Sequence, residues 1–265
     1  AVAVFPAAFA LGQQLGASLP QLLEAALVGM ELSIRVGLWL GRSHYQQGFH
    51  QTATAGAFGA TAAAGRLLQL TPHQMAMALG LCATRAAGLK AQFGTMGKPM
   101  NAGFAAANGV EAASAARVGM TSDPAALDGP NGYAATHHGA CDETAWDGIG
   151  REWLFESVSH KLHACCHGTH AMIEALRTLD APDPQEIEIA VHPRWLTVCD
   201  IAEPQTGLEA KFSLRLCAAM ALTGWDTGAL ATFRDDACAA PKLYALRDRV
   251  RITPDETLPE TAARV

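Results

Sequence analysis

Three short basic stretches of this 265-residue chain stand at the start of Ala- and Gly-rich segments of helical character. They are Gly48-Phe49-His50-Gln51-Thr52, Gly97-Lys98-Pro99-Met100-Asn101, and the run from Lys161 through His163, Cys165, Cys166 and His167 to His170. A helix start exposes unpaired backbone N–H groups and a partial positive charge, which attract anions. Lysine or histidine beside such a start adds a full charge or a titratable one. The chain as a whole is acidic, with a net charge of −6. Three such places therefore point to one shared anionic small molecule held by local charge.

The residue types allow several chemistries. His50, as a neutral imidazole, can act as a general base near pH 7, or cap a helix. Lys98 sits among Gly94, Gly97 and Gly103, where backbone can approach a ligand and the ammonium supplies a point charge. The order of a phosphate loop, G-x-x-x-x-G-K-[ST], is absent. In the third stretch His163, Cys165, Cys166, His167 and His170 are possible zinc ligands. Adjacent cysteines serve one ion poorly, no second ligand pair follows, and the thiolates for an iron–sulfur cluster cannot be assembled, so no metal is expected. A nucleophilic Cys165 or Cys166 is the sharper alternative to buried structural thiols. Tyr133, His137 and His138 lie in a turn-rich stretch that could cover a pocket or simply face solvent. Met75, Met77 and Met96 read as core filler.

These side chains need a helical frame. Ser18-Leu19-Pro20-Gln21 and Thr71-Pro72-His73-Gln74 fit the capping box with proline in the first turn. They predict helices over residues 19–40 and 72–89, with others over 52–68, 101–118 and 169–179. Runs such as Ala60-Thr61-Ala62-Ala63-Ala64-Gly65 predict central, nearly all-buried helices in close approach. Around residues 121–150, Asp-Pro, Gly-Pro-Asn-Gly and Asp-Gly sequences mark turns. Later the pattern changes: residues 186–192 alternate with period two, as a half-buried strand does, and residues 249–253 look like a second strand. Residues 209–222 return to helix. The fold class expected is mainly α: a large all-helical domain over residues 1–182 and a partial α+β domain over residues 183–265.

Composition narrows the partners. Half the residues are hydrophobic and 17% are charged, as in an ordered globular protein. Net acidity, with a pI near 5.9, argues against nucleic acid and anionic membrane surfaces. The longest apolar run, residues 22–40, is broken by Glu24, Glu31 and Arg35, so no membrane span is expected. The seven cysteines lack C-x-x-C spacing and read as reduced thiols. With no leader-like opening, this indicates a cytoplasmic protein. The abrupt apolar start at Ala1 and the stop after a strand suggest a chain cut from something longer.

In their order and spacing these stretches resemble the MmgE/PrpD family, which includes 2-methylcitrate dehydratases and cis-aconitate decarboxylases. Gly48-Phe49-His50-Gln51-Thr52 is similar to its G-F-H-x-T segment, and Gly97-Lys98-Pro99 with Ala102-Gly103 to its lysine loop. Leu127 to Tyr133 is similar to its L-x-G-x-x-G-[FY] turn, and Lys161, Cys165-Cys166 and His170 to its K-x-x-x-C-C-x-x-x-H segment. Glu209-Ala210-Lys211-Phe212-Ser213 is similar to E-A-K-F-S. The resemblance implies a helical domain with a smaller α+β lid, an active site between them, and a homodimer. It implies a lyase without cofactor that dehydrates a 2-methylcitrate-like hydroxy acid. Alternatives are decarboxylation of the cis-aconitate type, carbon-acid epimerisation, or a non-catalytic remnant. Carried over, His50, Lys98 and Lys161 would be catalytic, while His163, Thr52 and His170 would bind a small polycarboxylate. The family's upstream Asp/Thr/His segment would fall before Ala1, and an aromatic found in some members would fall near Leu216.

Overall fold

Both capping boxes open helices where the sequence places them. In the computed structural model, which describes residues 1–179 and 183–265, the Ser18 N–H donates to Gln21 Oε1 at 2.8 Å and opens α2 (Leu19–Gln46), after α1 (Val4–Leu15). Thr71 and Gln74 exchange reciprocal bonds at 3.0 and 3.2 Å and open α4 (Pro72–Ala83). Between them lies α3 (Gln51–Leu67), and α5 (Gly97–Arg117) follows. The helix predicted to stop at residue 40 is interrupted at Gly41 and resumes to Gln46.

The chain divides into two units by its contacts. One comprises Ala1–Gln92 with Gly97–Val158, the other Phe93–Met96 with Ser159–Val265. In the first, α3 is central and every residue from Ala53 to Gly65 is buried. Small side chains make this possible. A Cβ on Gly59 would stand 2.4 Å from the Gly29 carbonyl oxygen, and one on Gly29 would stand 2.5 Å from that of Gly59. Here α2 and α3 touch backbone to backbone, a contact only glycine permits.

Two of the three charges that break the apolar run of α2, Glu31 and Arg35, are built into the interior of this unit. Arg35 is 1% exposed and donates to Glu31 at 2.7 Å, to the carbonyls of Ala145 and Asp147 at 2.8 Å, and to that of Glu152 at 2.9 Å. Glu31 also accepts from the N–H groups of Leu154 and Phe155 at 3.1 and 3.0 Å. One buried ion pair, four residues apart on one helix face, thus ties down residues 145–155.

The helix predicted over 72–89 ends at Ala83 instead. Residues 88–90 run extended against residues 48–50: the His50 N–H donates to Gly88 O at 2.9 Å, Phe49 bridges Leu89, and the Lys90 N–H donates to Gly48 O at 2.8 Å. The Tyr133 hydroxyl fastens the same stretch through Ala86 O at 2.6 Å. Non-local pairing outweighs the helical propensity of Ala86 and Ala87. The short helix α6 (Tyr133–Thr136) completes this unit's helices.

In the second unit α7 (His170–Arg177) buries Met172, Ile173 and Leu176 against α9 (Leu214–Leu222). The expected domain boundary at residues 182 and 183 meets Asp180, Ala181 and Pro182, which lie outside the described residues. The division by contacts comes earlier, after Val158, because α7 packs against α9 and so belongs with the second unit. The strand predicted over 186–192 is β1 (Ile187–Val191), alternately buried and open. It pairs in parallel with β2 (Val250–Pro254), Ile187 opposite Val250, and antiparallel with β3 (Ala263–Arg264), in the order β2-β1-β3. The helix predicted over 209–222 is two helices, α8 (Gly207–Ala210) and α9. The Ser213 hydroxyl accepts from the Leu216 N–H at 3.2 Å and starts α9 afresh. Between β1 and β2, α10 (Asp235–Cys238) and α11 (Pro241–Arg247) add short helical packing. Among the described residues no helix is long and apolar enough to cross a membrane.

Candidate functional site

The extended pairing of residues 48–50 with 88–90 sets His50 at the threshold of α3. Gly48, at φ +116°, turns the chain into it, a conformation that suits glycine. His50 is the N-cap residue of α3, yet its side chain does not cap the helix. His50 is 6% exposed, and Asn101 Nδ2 lies 3.3 Å from its Nδ1. Lys98 lies one turn before Asn101 on α5. Burial, reinforced by the positive charge of Lys98, lowers the His50 imidazole from its ordinary 6.5 to about 4. His50 is therefore neutral near pH 7. A cleft of about 380 Å³ runs past Asn101, lined also by Arg85, Gly88, Leu89, Gln92 and Asn108.

Thr52 lies in the first turn of α3 but is exposed, facing a different cleft of about 360 Å³ with Ser33, Gly37 and Gln51. Tyr133, in a stretch read as a cover or a solvent loop, is 3% exposed and belongs to the core. The His137 ring stacks on it at 4.0 Å. Beneath them is a histidine that sequence reasoning missed. His44 is fully buried, with Nδ1 2.6 Å from His137 O and Nε2 2.9 Å from Thr54 Oγ1. A carbonyl only accepts, so Nδ1 carries the proton and Nε2 accepts from Thr54.

The second unit gathers the remaining expected residues. Lys161 is not at a helix start; it lies just before the bend over residues 162–165, exposed, and donates to Cys165 O at 3.1 Å. His163 is 3% exposed and both its nitrogens are engaged internally, Nε2 with Glu174 at 2.7 Å and Nδ1 with Thr227 at 2.8 Å. Its position is that of a strut of this unit. His170 opens α7 with its ring edge-on to His163 at 4.9 Å and to His167 at 5.3 Å. Its Nε2 is buried and, among the described residues, has no hydrogen-bond partner. Burial, then the neighbouring His163, His167 and Lys161, lower its imidazole to about 4. An unsatisfied ring nitrogen beside a lysine is where a polar ligand atom would be best received.

Cys165 and Cys166 are buried at 5% and 8% exposure, as structural thiols are. The Cys165 Sγ lies 2.9 Å from Thr169 Oγ1. Hydrogen bonding with Cys217 lowers the Cys165 thiol, whereas Cys217 is driven well upward. Among the described residues no group of three or more His, Cys, Asp or Glu side chains is disposed to hold a metal ion.

Paired backbone around a G-F-H segment, a lysine in the first turn of α5, and a K-x-x-x-C-C-x-x-x-H loop in a second unit are features of this structure. The MmgE/PrpD N-terminal domain matches residues 1–143, and the MmgE/PrpD C-terminal domain matches residues 163–264. The chain belongs to the MmgE/PrpD family. It is 33% identical over 198 residues to a cis-aconitate decarboxylase of Aspergillus terreus, covering 69% of this chain and 40% of that protein. The cis-aconitate decarboxylase-like protein oryM of Aspergillus oryzae is 33% identical over 194 residues, with the same coverage. A human cis-aconitate decarboxylase is 28% identical over 129 residues, covering 48% of this chain and 27% of that protein. The chain thus matches about two-fifths of the length of its fungal relatives.

Proposed function

We propose that this chain contributes to a lyase for small di- or tricarboxylates, with decarboxylation of cis-aconitate as the reaction to test first. The observation that carries the reading is the pair His50 and Lys98 at the starts of α3 and α5, in a chain of this family. The names of its relatives turn the expectation away from dehydration of a 2-methylcitrate-like acid, which becomes the second substrate to try.

In this reading Lys98 and Lys161 hold substrate carboxylates. The bond from carbon to one carboxylate breaks, CO₂ leaves, and the electron pair stays on carbon, delocalised toward a remaining carboxylate. The lysines stabilise that charge, and a proton then bonds to the carbon. His50 adds a neutral imidazole to the same substrate, a group able to exchange a proton or to donate a hydrogen bond. His170 would meet a polar atom of the substrate through its buried Nε2, while Thr52 and His163 are given no catalytic part. No cofactor is required, and the working form is a homodimer.

One such electrostatic contact is worth roughly 3 kcal/mol in the transition state. In the full protein Lys98→Ala and Lys161→Ala should each lower kcat for CO₂ release about 100-fold. Near-normal kcat and KM in both variants would refute the assignment. Hydrogen exchange in D₂O without loss of CO₂ or water would identify an epimerase instead.

A further inference from the structure

The contact between Asn101 and His50 bears on which nitrogen of the ring carries the proton. A neutral imidazole has one N–H and one lone pair, and its hydrogen-bond partners select the tautomer. Asn101 Nδ2 lies 3.3 Å from His50 Nδ1 and 3.4 Å from the carbonyl oxygen of Leu89. That carbonyl can only accept, so the amide NH₂, and not the amide oxygen, faces both groups. The Asn101 NH₂ therefore meets a lone pair on Nδ1, and the ring proton belongs on Nε2.

Both partners are held in place. Asn101 is 9% exposed and lies in the second turn of α5, while His50 is fixed through its N–H to Gly88 O and through the Phe49–Leu89 bridge. Leu89 takes part in both devices: it pairs with Phe49 and orients the amide of Asn101. Lys98, one turn earlier on α5, adds a positive charge that disfavours a second proton on the ring.

We propose that Asn101 is a positioning residue that holds His50 as the neutral Nε2–H tautomer, so that His50 meets an anionic substrate as a hydrogen-bond donor and not as a base. The inference rests on the reading of His50 as a substrate contact and narrows its role. The Nε2–H stabilises negative charge on a substrate oxygen and stays on the ring, and the proton that ends on carbon is taken up from solvent water. Full transfer from a neutral ring would leave an imidazolate, a strongly basic anion that a single neutral amide N–H stabilises only weakly.

The test is the ¹⁵N spectrum of the full protein labelled in histidine at pH 7, with His50 assigned by its loss in His50→Asn. The expected spectrum has Nδ1 unprotonated and Nε2 protonated. In Asn101→Asp the new carboxylate accepts from the ring, so the proton should move to Nδ1 and kcat with cis-aconitate should fall roughly 100-fold, with KM little changed. A wild-type ring protonated at Nδ1 overturns the inference, and that measurement needs no variant to fold. An unshifted ring spectrum in folded Asn101→Asp overturns it equally. If His50→Ala keeps its kcat while the ring spectra behave as expected, the reading of His50 as a substrate contact fails and the tautomer assignment stands.

Discussion

Replacing Arg35 by methionine removes four donated hydrogen bonds from the interior of the first unit while nearly preserving side-chain volume. It strands the Glu31 carboxylate, which keeps only the N–H groups of Leu154 and Phe155, and leaves the carbonyls of Ala145, Asp147 and Glu152 without their donor. Breaking a buried ion pair from one side costs about 3–5 kcal/mol. With an m-value of about 2 kcal/mol/M in urea, the midpoint should fall by about 2 M. The matched control is the surface pair Arg66–Glu24, whose side chains are 52% and 56% exposed; its loss should cost no more than about 1 kcal/mol. The double variant Arg35→Met/Glu31→Met should be less destabilised than Arg35→Met alone, since no charge is left buried. Urea unfolding followed by far-ultraviolet circular dichroism measures all four proteins. If Arg35→Met shifts the midpoint no further than Arg66→Met does, the anchoring role assigned to Arg35 is wrong.

Acid should weaken the fold through two histidines. His50 and His170 titrate near 4 when folded against 6.5 when unfolded, so the unfolded chain binds their protons more readily. Their contribution is complete above pH 6.5 and is lost as pH falls toward 4; thermal midpoints across that range should drop less steeply in His50→Asn/His170→Asn, and an unchanged slope would refute the assignment. Thiol alkylation of the native protein should mark exposed Cys141 first. Cys82, whose buried thiol is pushed up to about 12, and Cys217 should react only on unfolding; mass mapping that finds either modified as fast as Cys141 would contradict this.

Local signals were legible in the sequence where one stretch of chain decides the outcome. The capping boxes at Ser18 and Thr71 and the period-two alternation before His192 depend on neighbours a few residues away, and they appear as read. The extended stretch at residues 88–90 was not legible, because its partner is the segment before α3, and alanine-rich sequence alone favours helix. The break at Lys211 to Ser213 was hidden for the opposite reason: a serine that starts a new helix looks like one tolerated inside a long helix. Glu31 and Arg35 were visible only as interruptions of an apolar run, though their spacing of four residues was a signal for a pair. Of the site, His50, Lys98 and Lys161 could be picked out by residue type and motif. Asn101 could not, since an amide declares a role only when a ring nitrogen and a carbonyl stand on the same side of it.

The strand order β2-β1-β3 has a consequence for synthesis. The first strand made is the one that ends in the middle, and about 60 residues must emerge before its parallel partner exists. At roughly 5–20 residues per second, Ile187, Ile189 and Val191 wait about 3–12 s on the ribosome with both edges unpaired. An open, β-branched strand of this kind is a template for association with other chains. Yield of the folded protein should therefore respond to growth temperature and to chaperone supply during that interval more than to the stability of the finished fold.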